Sequence, residues 1–448
     1  MRRRDFLALT PPLLLVPSFA PAAAPPVPLK RYKVAVIGTG WYGKMDLFRL
    51  LQVTNAEVVA LCDVDRRQLE TANERLRARH PDQTPRLYAD HTAMLRQEKP
   101  DLALIETPDH WHALQAIDCL RDGCHVYLQK PVGVDVRECE AVVAAAKKYK
   151  RTVQVALQRR STPHLKDAKL RFVDSGRLGR VHHVDMWCYY HMRDEAVRAV
   201  KPVPDHFDYE RWTGPAPLLP FRGVPHRRWR AFTAYGNGIV GDMCVHYFDA
   251  VRWLLGLGWP EKVSSQGGIF VDTAADATTT DTQTAVFEYP REKLNIHWTH
   301  RAWGTRPDAD WPWAFVLYGE HGTLKMDTHK YEFLPAKKGA EPIRGEARTN
   351  LRRFPEDETE EGIELHVASA VRAHFKDWLA AIEDGKKPVA DISEGYISTA
   401  SCVLANLSCE LGRPLSYNPH WRVVEGDEAA TALLARPYRR GWARPPVR

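Results

Sequence analysis

Three side chains suited to proton chemistry fall within one short stretch. In Gly241-Asp-Met-Cys-Val-His-Tyr-Phe-Asp249, Asp242, His246 and Asp249 stand at i, i+4 and i+7, which places them on one face of a predicted helix. Histidine exchanges protons near neutral pH, and a carboxylate one turn away can fix its tautomer and raise its basicity. The same stripe is compatible with a capping Asp and a satisfied buried His. An Asp–His pair at this spacing also matches part of a zinc site, but no third ligand motif accompanies it, so no metal is expected. The second candidate is Lys130, in Gln129-Lys-Pro131 at the end of a predicted strand. At the carboxyl edge of an open sheet an ammonium can polarise a substrate hydroxyl and stabilise the alkoxide from which a hydride leaves. Position alone fits a surface lysine equally well.

Chemistry of this kind needs an electron acceptor and elements to hold it. Val34-Ala-Val-Ile37 is an apolar, β-branched strand candidate, followed by Gly38, Thr39, Gly40, Trp41, Tyr42 and Gly43. Gly38 permits a tight turn, Gly40 lets backbone N–H groups approach a pyrophosphate, and Gly43 lets the following helix pack close to the strand. The helix N-terminus then faces the phosphates. A second strand, Glu57 to Asp63, ends in an acid placed to accept from a ribose 2′-OH. The cofactor expected is a dinucleotide. NAD is favoured over NADP because Asp63 would repel a 2′-phosphate, an effect that Arg66 and Arg67 partly offset.

Further strands at about 87–90, 101–106, 125–129 and 152–157 alternate with helical patterns, which gives a parallel, doubly wound α/β sheet over 31–157. Beyond it, a strand from Val181 to Tyr190 and five more between Val263 and Met326 have few helices between them. They predict a second α+β domain over 158–420 with an open, mostly antiparallel sheet. Residues 335–362 read as a polar segment whose acidic run, Glu356 to Glu361, is a solvated loop. Residues 421–448 read as an extended tail.

The formal charge of +7 is spread along the chain without a basic cluster in a recognisable module, so no nucleic-acid partner is expected. Residues 1–30 read as a targeting segment and linker. Arg3-Arg4-Asp-Phe-Leu7, then an apolar run too short to span a membrane, then Ala20-Pro-Ala22, resemble a twin-arginine export signal with its cleavage site. The expected location is the periplasm, with no membrane span. None of the eight cysteines forms C-x-x-C, and most are expected to be free and buried.

The glycine turn, Thr107-Pro108 with His110 and His112, Lys130-Pro131, and Asp242-x-x-x-His246-x-x-Asp249 occur in this order and at suitable distances. Together they resemble the Gfo/Idh/MocA superfamily, named for glucose–fructose oxidoreductase and inositol dehydrogenase. The resemblance covers essentially the whole mature chain. It implies a Rossmann domain, a C-terminal α/β domain whose open sheet often mediates homo-oligomers, and a carbohydrate or cyclitol substrate. It implies Lys130 and His246 as the catalytic pair with Asp242 supporting the histidine. It also implies that Thr107, Pro108, His110, His112, Gln129 and Gln158 border the cofactor, and that Arg159, Arg160, Tyr189 and Asp249 lie on the substrate side. One departure is Gln129, where Glu-Lys-Pro is common; exported members resemble this variant, so it is not read as inactivation. The activity expected is hydride transfer on a sugar, cyclitol or sugar derivative. The alternatives are an NAD-dependent glycosidase working by transient oxidation, and a non-catalytic NAD- or sugar-binding sensor. An exported enzyme meets little free NAD, so the cofactor is expected to be tightly held.

Overall fold

The structure, a computed structural model, describes residues 31–189, 197–223, 226–305 and 308–446. The twin-arginine segment lies outside the described residues. Eleven elements build the first layer system: β1 (Lys33–Ile37), α1 (Trp41–Leu51), β2 (Glu57–Cys62), α2 (Arg66–Arg79), β3 (Arg86–Tyr88), α3 (His91–Glu98), β4 (Leu102–Ile105), α4 (Asp109–Arg121), β5 (His125–Leu128), α5 (Val136–Tyr149) and β6 (Val153–Val155). The strands pair in parallel in the order β3-β2-β1-β4-β5-β6. Each strand between helical layers must be apolar on both faces, and Leu-Ala-Leu-Ile of β4 is buried at every position. The order reverses between β1 and β4, and ligands of open α/β sheets bind at such a switch point, outside the carboxyl ends of the strands.

Helix starts differ in one telling respect. Asp65, Asp90 and Asp135 cap α2, α3 and α5, each accepting from backbone N–H groups of the first turn. Gly40 begins α1 with no side-chain cap and no acid in the first turn. That end of α1 is therefore left to an outside anion.

The chain continues through α6 (Pro163–Ala168), β7 (Val181–Cys188), α7 (Tyr209–Thr213), α8 (Val245–Leu255), β8 (Lys262–Gly268), β9 (Thr282–Tyr289), β10 (Leu294–Arg301), β11 (Trp313–Gly319), β12 (Gly322–Met326), β13 (Lys330–Pro335), β14 (Ile343–Glu346), α9 (Leu365–Asp384) and α10 (Ile392–Leu411). The second sheet has eight strands in the order β14-β13-β12-β11-β7-β10-β9-β8, antiparallel except for the β7–β10 pair. Along β7 Val184, Met186 and Cys188 are buried while His183, Asp185 and Trp187 are half-buried, the alternation of a sheet with one covered face. The class is α/β: a six-stranded parallel Rossmann sheet followed by a domain with a mostly antiparallel sheet.

Two segments that read as surface in the sequence are built into the fold. β13 and β14 extend the second sheet through part of the polar 335–362 stretch. The acidic run beyond them is docked on the Rossmann domain instead of solvated: fully buried Arg49 pairs with Glu360, which also accepts from Arg79 at 2.5 Å, and Arg372 donates to Asp357 at 2.6 Å. A buried arginine with no carboxylate beside it would cost several kcal/mol, so the acids at 357 and 360, which meet Arg49 through Nη2, offset the burial of its charge. α9 then lays Val367, Val371, Phe375 and Trp378 against Val34, Val36, Leu102 and Leu104 of the parallel sheet. The tail forms a short hairpin, β15 (Tyr417–Asn418) with β16 (Val423–Val424), then α11 (Glu428–Ala432). From there Arg444 pairs with buried Asp135, and Arg436 donates to Thr233 and Gly236 carbonyls. All eight cysteines are free, and seven are buried. No helix among the described residues is long and apolar enough to cross a membrane.

Candidate active site

A cavity of about 910 Å³ opens along the carboxyl edge of the parallel sheet and is closed from the other side by the second domain. Its cofactor half is made by the glycine turn. Gly38 has φ +92°, and a Cβ there would stand 2.7 Å from the Glu106 carbonyl carbon. A Cβ on Gly43 would stand 2.0 Å from the Gly38 carbonyl oxygen, whereas a Cβ on Gly40 would meet nothing within 4 Å. Gly43 thus sets strand–helix packing, and Gly40 faces open space above the uncapped start of α1. Asp63 ends β2 with one carboxylate oxygen accepting from the Thr39 N–H at 2.7 Å and its hydroxyl at 3.2 Å, and the other from the Asp65 N–H at 2.9 Å. The acid therefore fixes the turn as well as bordering the cavity; burial raises its pKa. Trp41 and Tyr42 are tied to a distant segment: Trp41 Nε1 donates to the Gly362 carbonyl at 2.5 Å and the Tyr42 hydroxyl to Glu364 at 2.5 Å. An open turn, an uncapped helix start and an acid at the β2 terminus fit a dinucleotide.

In the other half, Lys130 donates from Nζ to the Asp242 carboxylate at 2.5 Å and to the Asp242 carbonyl at 2.9 Å. Arg230 donates to the same carboxylate oxygen at 3.1 Å. The Asp242 carboxylate thus neutralises and aims the lysine. His246 lines the cavity, buried, with Nδ1 lacking a hydrogen-bond partner. Burial, and then the nearby charges of Lys130, Arg159 and Arg230, hold its pKa well below the usual imidazole value. The ring is neutral at pH 7 and free to accept a proton.

The chain is matched by two family models, "Oxidoreductase family, NAD-binding Rossmann fold" over residues 32–157 and "Oxidoreductase family, C-terminal alpha/beta domain" over residues 171–417. The chain belongs to the Gfo/Idh/MocA oxidoreductase family. Curated relatives include the myo-inositol 2-dehydrogenase of Thermotoga maritima, 22% identical over 59% of this chain and 67% of that protein. They also include a glycosyl hydrolase family 109 protein of Saccharopolyspora erythraea, 30% identical over 33% of each. The chain thus spans a third to two thirds of the length of these relatives. Among solved structures, an oxidoreductase from Agrobacterium radiobacter in complex with NAD+, L-tartaric acid and magnesium superposes with a TM-score of 0.66, at 16% identity, over 86% of this chain and 98% of that one.

Within this Gfo/Idh/MocA chain, several residues stand away from where the sequence put them. A π-helical turn, Val240–Cys244, precedes α8. Its i→i+5 bonding changes the phase of Asp242 relative to α8; Asp242 and His246 line the cavity, and Asp249 does not. Asp249 is wholly buried, bound by Arg160 through two 2.8 Å hydrogen bonds and by the Ser398 hydroxyl at 2.8 Å. Arg160 also reaches Glu394 at 3.0 Å. This pair locks α8 to the interdomain turn and α10, and neither member borders the cavity. Tyr189 lies off the cavity wall with the Arg301 guanidinium 4.8 Å from its ring. Arg66 is exposed beside Glu70 and is not part of the wall. His110 is buried behind the wall, bonded to the Trp212 carbonyl at 2.9 Å, and burial lowers its pKa to about 4. Gln158 is also buried outside the wall.

Thr107, Pro108, His112, Gln129 and Arg159 do line the cavity. His112 sits between the carbonyls of Pro131, at 2.6 Å, and Thr107, at 2.8 Å, and its neutral ring donates to one of them, packing the Lys130 turn against the end of β4. Burial lowers its pKa to about 4. Gln129 donates to Asp46 at 2.9 Å. Asp46 and its neighbour Glu106 are both buried; burial pushes Asp46 up to about 7 and Glu106 well above the carboxylate range. An amide at 129 relieves this spot of a third acid. Asp46, Glu106, Arg230, Trp313, His329 and His366 were missed in the sequence. Only Glu106, an acid ending an apolar strand, carried a local signal. Away from the cavity, His183, Asp185 and His297 cluster on the open face of the second sheet with ligand atoms within 4.8 Å of one another, a grouping that the sequence spacing did not reveal.

Proposed function

We propose that this chain is an NAD-dependent oxidoreductase acting on a hydroxyl of a sugar, cyclitol or sugar derivative. The observation that carries the reading is the convergence, on one wall of the cavity, of the aimed Lys130 ammonium and the neutral His246 imidazole. Lys130 orients the reacting oxygen and stabilises negative charge developing on it. His246 takes the hydroxyl proton, and a neutral ring is the form that can do so. A bound nicotinamide supplies the acceptor for the hydride. Arg230 and Asp242 hold the lysine in place, since a lysine chain otherwise samples many rotamers. Asp63 supports NAD over NADP through repulsion of a 2′-phosphate, and the bonds from Trp41 and Tyr42 to residues 362–364 support a slow-release cofactor site. The twin-arginine segment supports export of the folded, loaded chain; Arg3→Lys with Arg4→Lys should retain it in the cytoplasm, and unchanged export would refute that.

The similarity to a family 109 glycosyl hydrolase supports a second reading, a glycosidase whose cycle of oxidation, elimination, water addition and re-reduction leaves the cofactor unchanged. The test is a panel of free sugars, cyclitols and aryl glycosides in which nicotinamide absorbance and aglycone release are followed together. Net reduction selects the dehydrogenase, and aglycone release with solvent deuterium on a ring carbon selects the glycosidase. Lys130→Met and His246→Gln should each lower turnover by about 10²–10⁴-fold. Wild-type rates in both variants would sink the assignment.

A further inference from the structure

Adjacent arginines at the interdomain turn have opposite fates. Arg160 is saturated by Asp249 and Glu394. Arg159 is 6% exposed and borders the cavity, and among the described residues its side chain makes no hydrogen bond and no ion pair; its buried Nε is an orphan. A guanidinium is charged at all relevant pH, and removing it from water without a partner costs several kcal/mol. No carboxylate stands within ion-pair distance of it among the described residues, and Glu364, the acid of the wall on that side, is engaged by the Tyr42 hydroxyl. His246, His164 and His366 are all held neutral, His164 at about 4 and His366 at about 3, by burial first and by Arg159 among the nearby charges. Thr328, also in the wall, has a buried hydroxyl with no partner. The end of the cavity facing the second domain is thus built for an anion that the protein does not supply.

The cofactor's phosphates are not that anion. They belong at the glycine turn after β1, whereas Arg159 follows β6, three strand spacings or about 14 Å across the sheet. A single unpaired cation among neutral histidines matches one negative charge rather than a phosphate dianion. Resting on the oxidoreductase reading above, we propose that the substrate is a sugar acid, a uronate or aldonate, whose carboxylate is bound by Arg159 with the Thr328 hydroxyl beside it.

The test compares matched acid and neutral pairs, glucuronate with glucose and galacturonate with galactose, and also glucose 6-phosphate, on the full chain loaded with NAD. Affinity is read from ligand-induced shifts in melting temperature, and reaction from nicotinamide absorbance. At least one acid should bind about tenfold or more tightly than its neutral partner, and Arg159→Gln should weaken that acid by about 100-fold, with Arg159→Lys between the two. Without sugar, Arg159→Gln should melt higher than the wild type, because a buried unpaired charge is gone. Equal or tighter binding of the neutral sugars or of the phosphate would overturn the proposal, as would undiminished acid binding in Arg159→Gln or a lower melting temperature of that variant. Arg159-dependent acid binding with no nicotinamide change for any sugar would uphold the carboxylate site and bring down the oxidoreductase reading. Turnover of neutral sugars alone would do the reverse.

Discussion

Two alanine substitutions in the glycine turn, at Gly40 and Gly43, should act in different ways. Gly43→Ala places a methyl 2.0 Å from the Gly38 carbonyl oxygen, where ordinary contact begins at 3.4 Å. Helix α1 and strand β1 must separate by about 1.4 Å, and both are rigid backbone in the centre of the sheet. Overpacking of this kind costs about 1–3 kcal/mol and more where nothing can yield. Gly40→Ala meets no atom within 4 Å, and Gly40 has φ −65°, which alanine adopts freely. The poorer cap, worth about 0.5–1 kcal/mol, is offset by a similar loss of unfolded-chain freedom, so net stability should change little. The new methyl does occupy the space above the α1 N–H groups, and NAD affinity should fall about 10–100-fold, or 1.4–2.7 kcal/mol. Urea unfolding of cofactor-free protein reads the first effect, and calorimetric NAD titration the second. Wild-type stability in Gly43→Ala, or an NAD affinity within about twofold of wild type in Gly40→Ala, would refute the reasoning.

Three further outcomes are expected. Glu360→Ala leaves buried Arg49 with Asp357 alone, 3.4 Å away, and should cost about 1.5–3 kcal/mol in urea unfolding; a loss under about 0.5 kcal/mol would mean that the acidic segment is not clamped. Arg160→Met should cost about 2–4 kcal/mol by leaving buried Asp249 with only the Ser398 hydroxyl and Arg252 at 3.9 Å, in contrast to stabilisation by Arg159→Gln, and the two melting curves side by side check this. Burial raises the Asp46 pKa to about 7, above the unfolded value of 3.8, so the contribution of Asp46 to stability is most favourable below about pH 4 and is lost as pH rises through 7. Asp46→Asn removes that titration and should gain up to about 4 kcal/mol over wild type at about pH 8, with the gain vanishing near pH 4. A gain that does not depend on pH would point to packing instead.

Features set by neighbouring residues were legible in the sequence. The strand–glycine–helix turn follows from local backbone geometry, whereas Lys130, at the end of an apolar run, was singled out only when the family resemblance was added to its position. Alternation of strands and helices named the α/β class, since each period is written within ten or fifteen residues. The choice of charge partners was not legible. Asp249 and Arg160 are 89 positions apart, and Glu360 and Arg49 are 311 apart. Spacing on one helix suggested that Asp242, His246 and Asp249 act together, but only the first two line the cavity, and each carboxylate paired with the cations that the fold brought against it. Burial decided the rest: the same residue type, arginine at 159 and at 160, is either a structural tie or an unmet charge according to whether tertiary packing places a carboxylate against it. The sequence by itself determined the kind of cofactor turn and the residue types available for catalysis. Only the tertiary structure decided which charges are spent on stability and which remain for a ligand, because desolvation and Coulomb interactions depend on distances through space rather than along the chain.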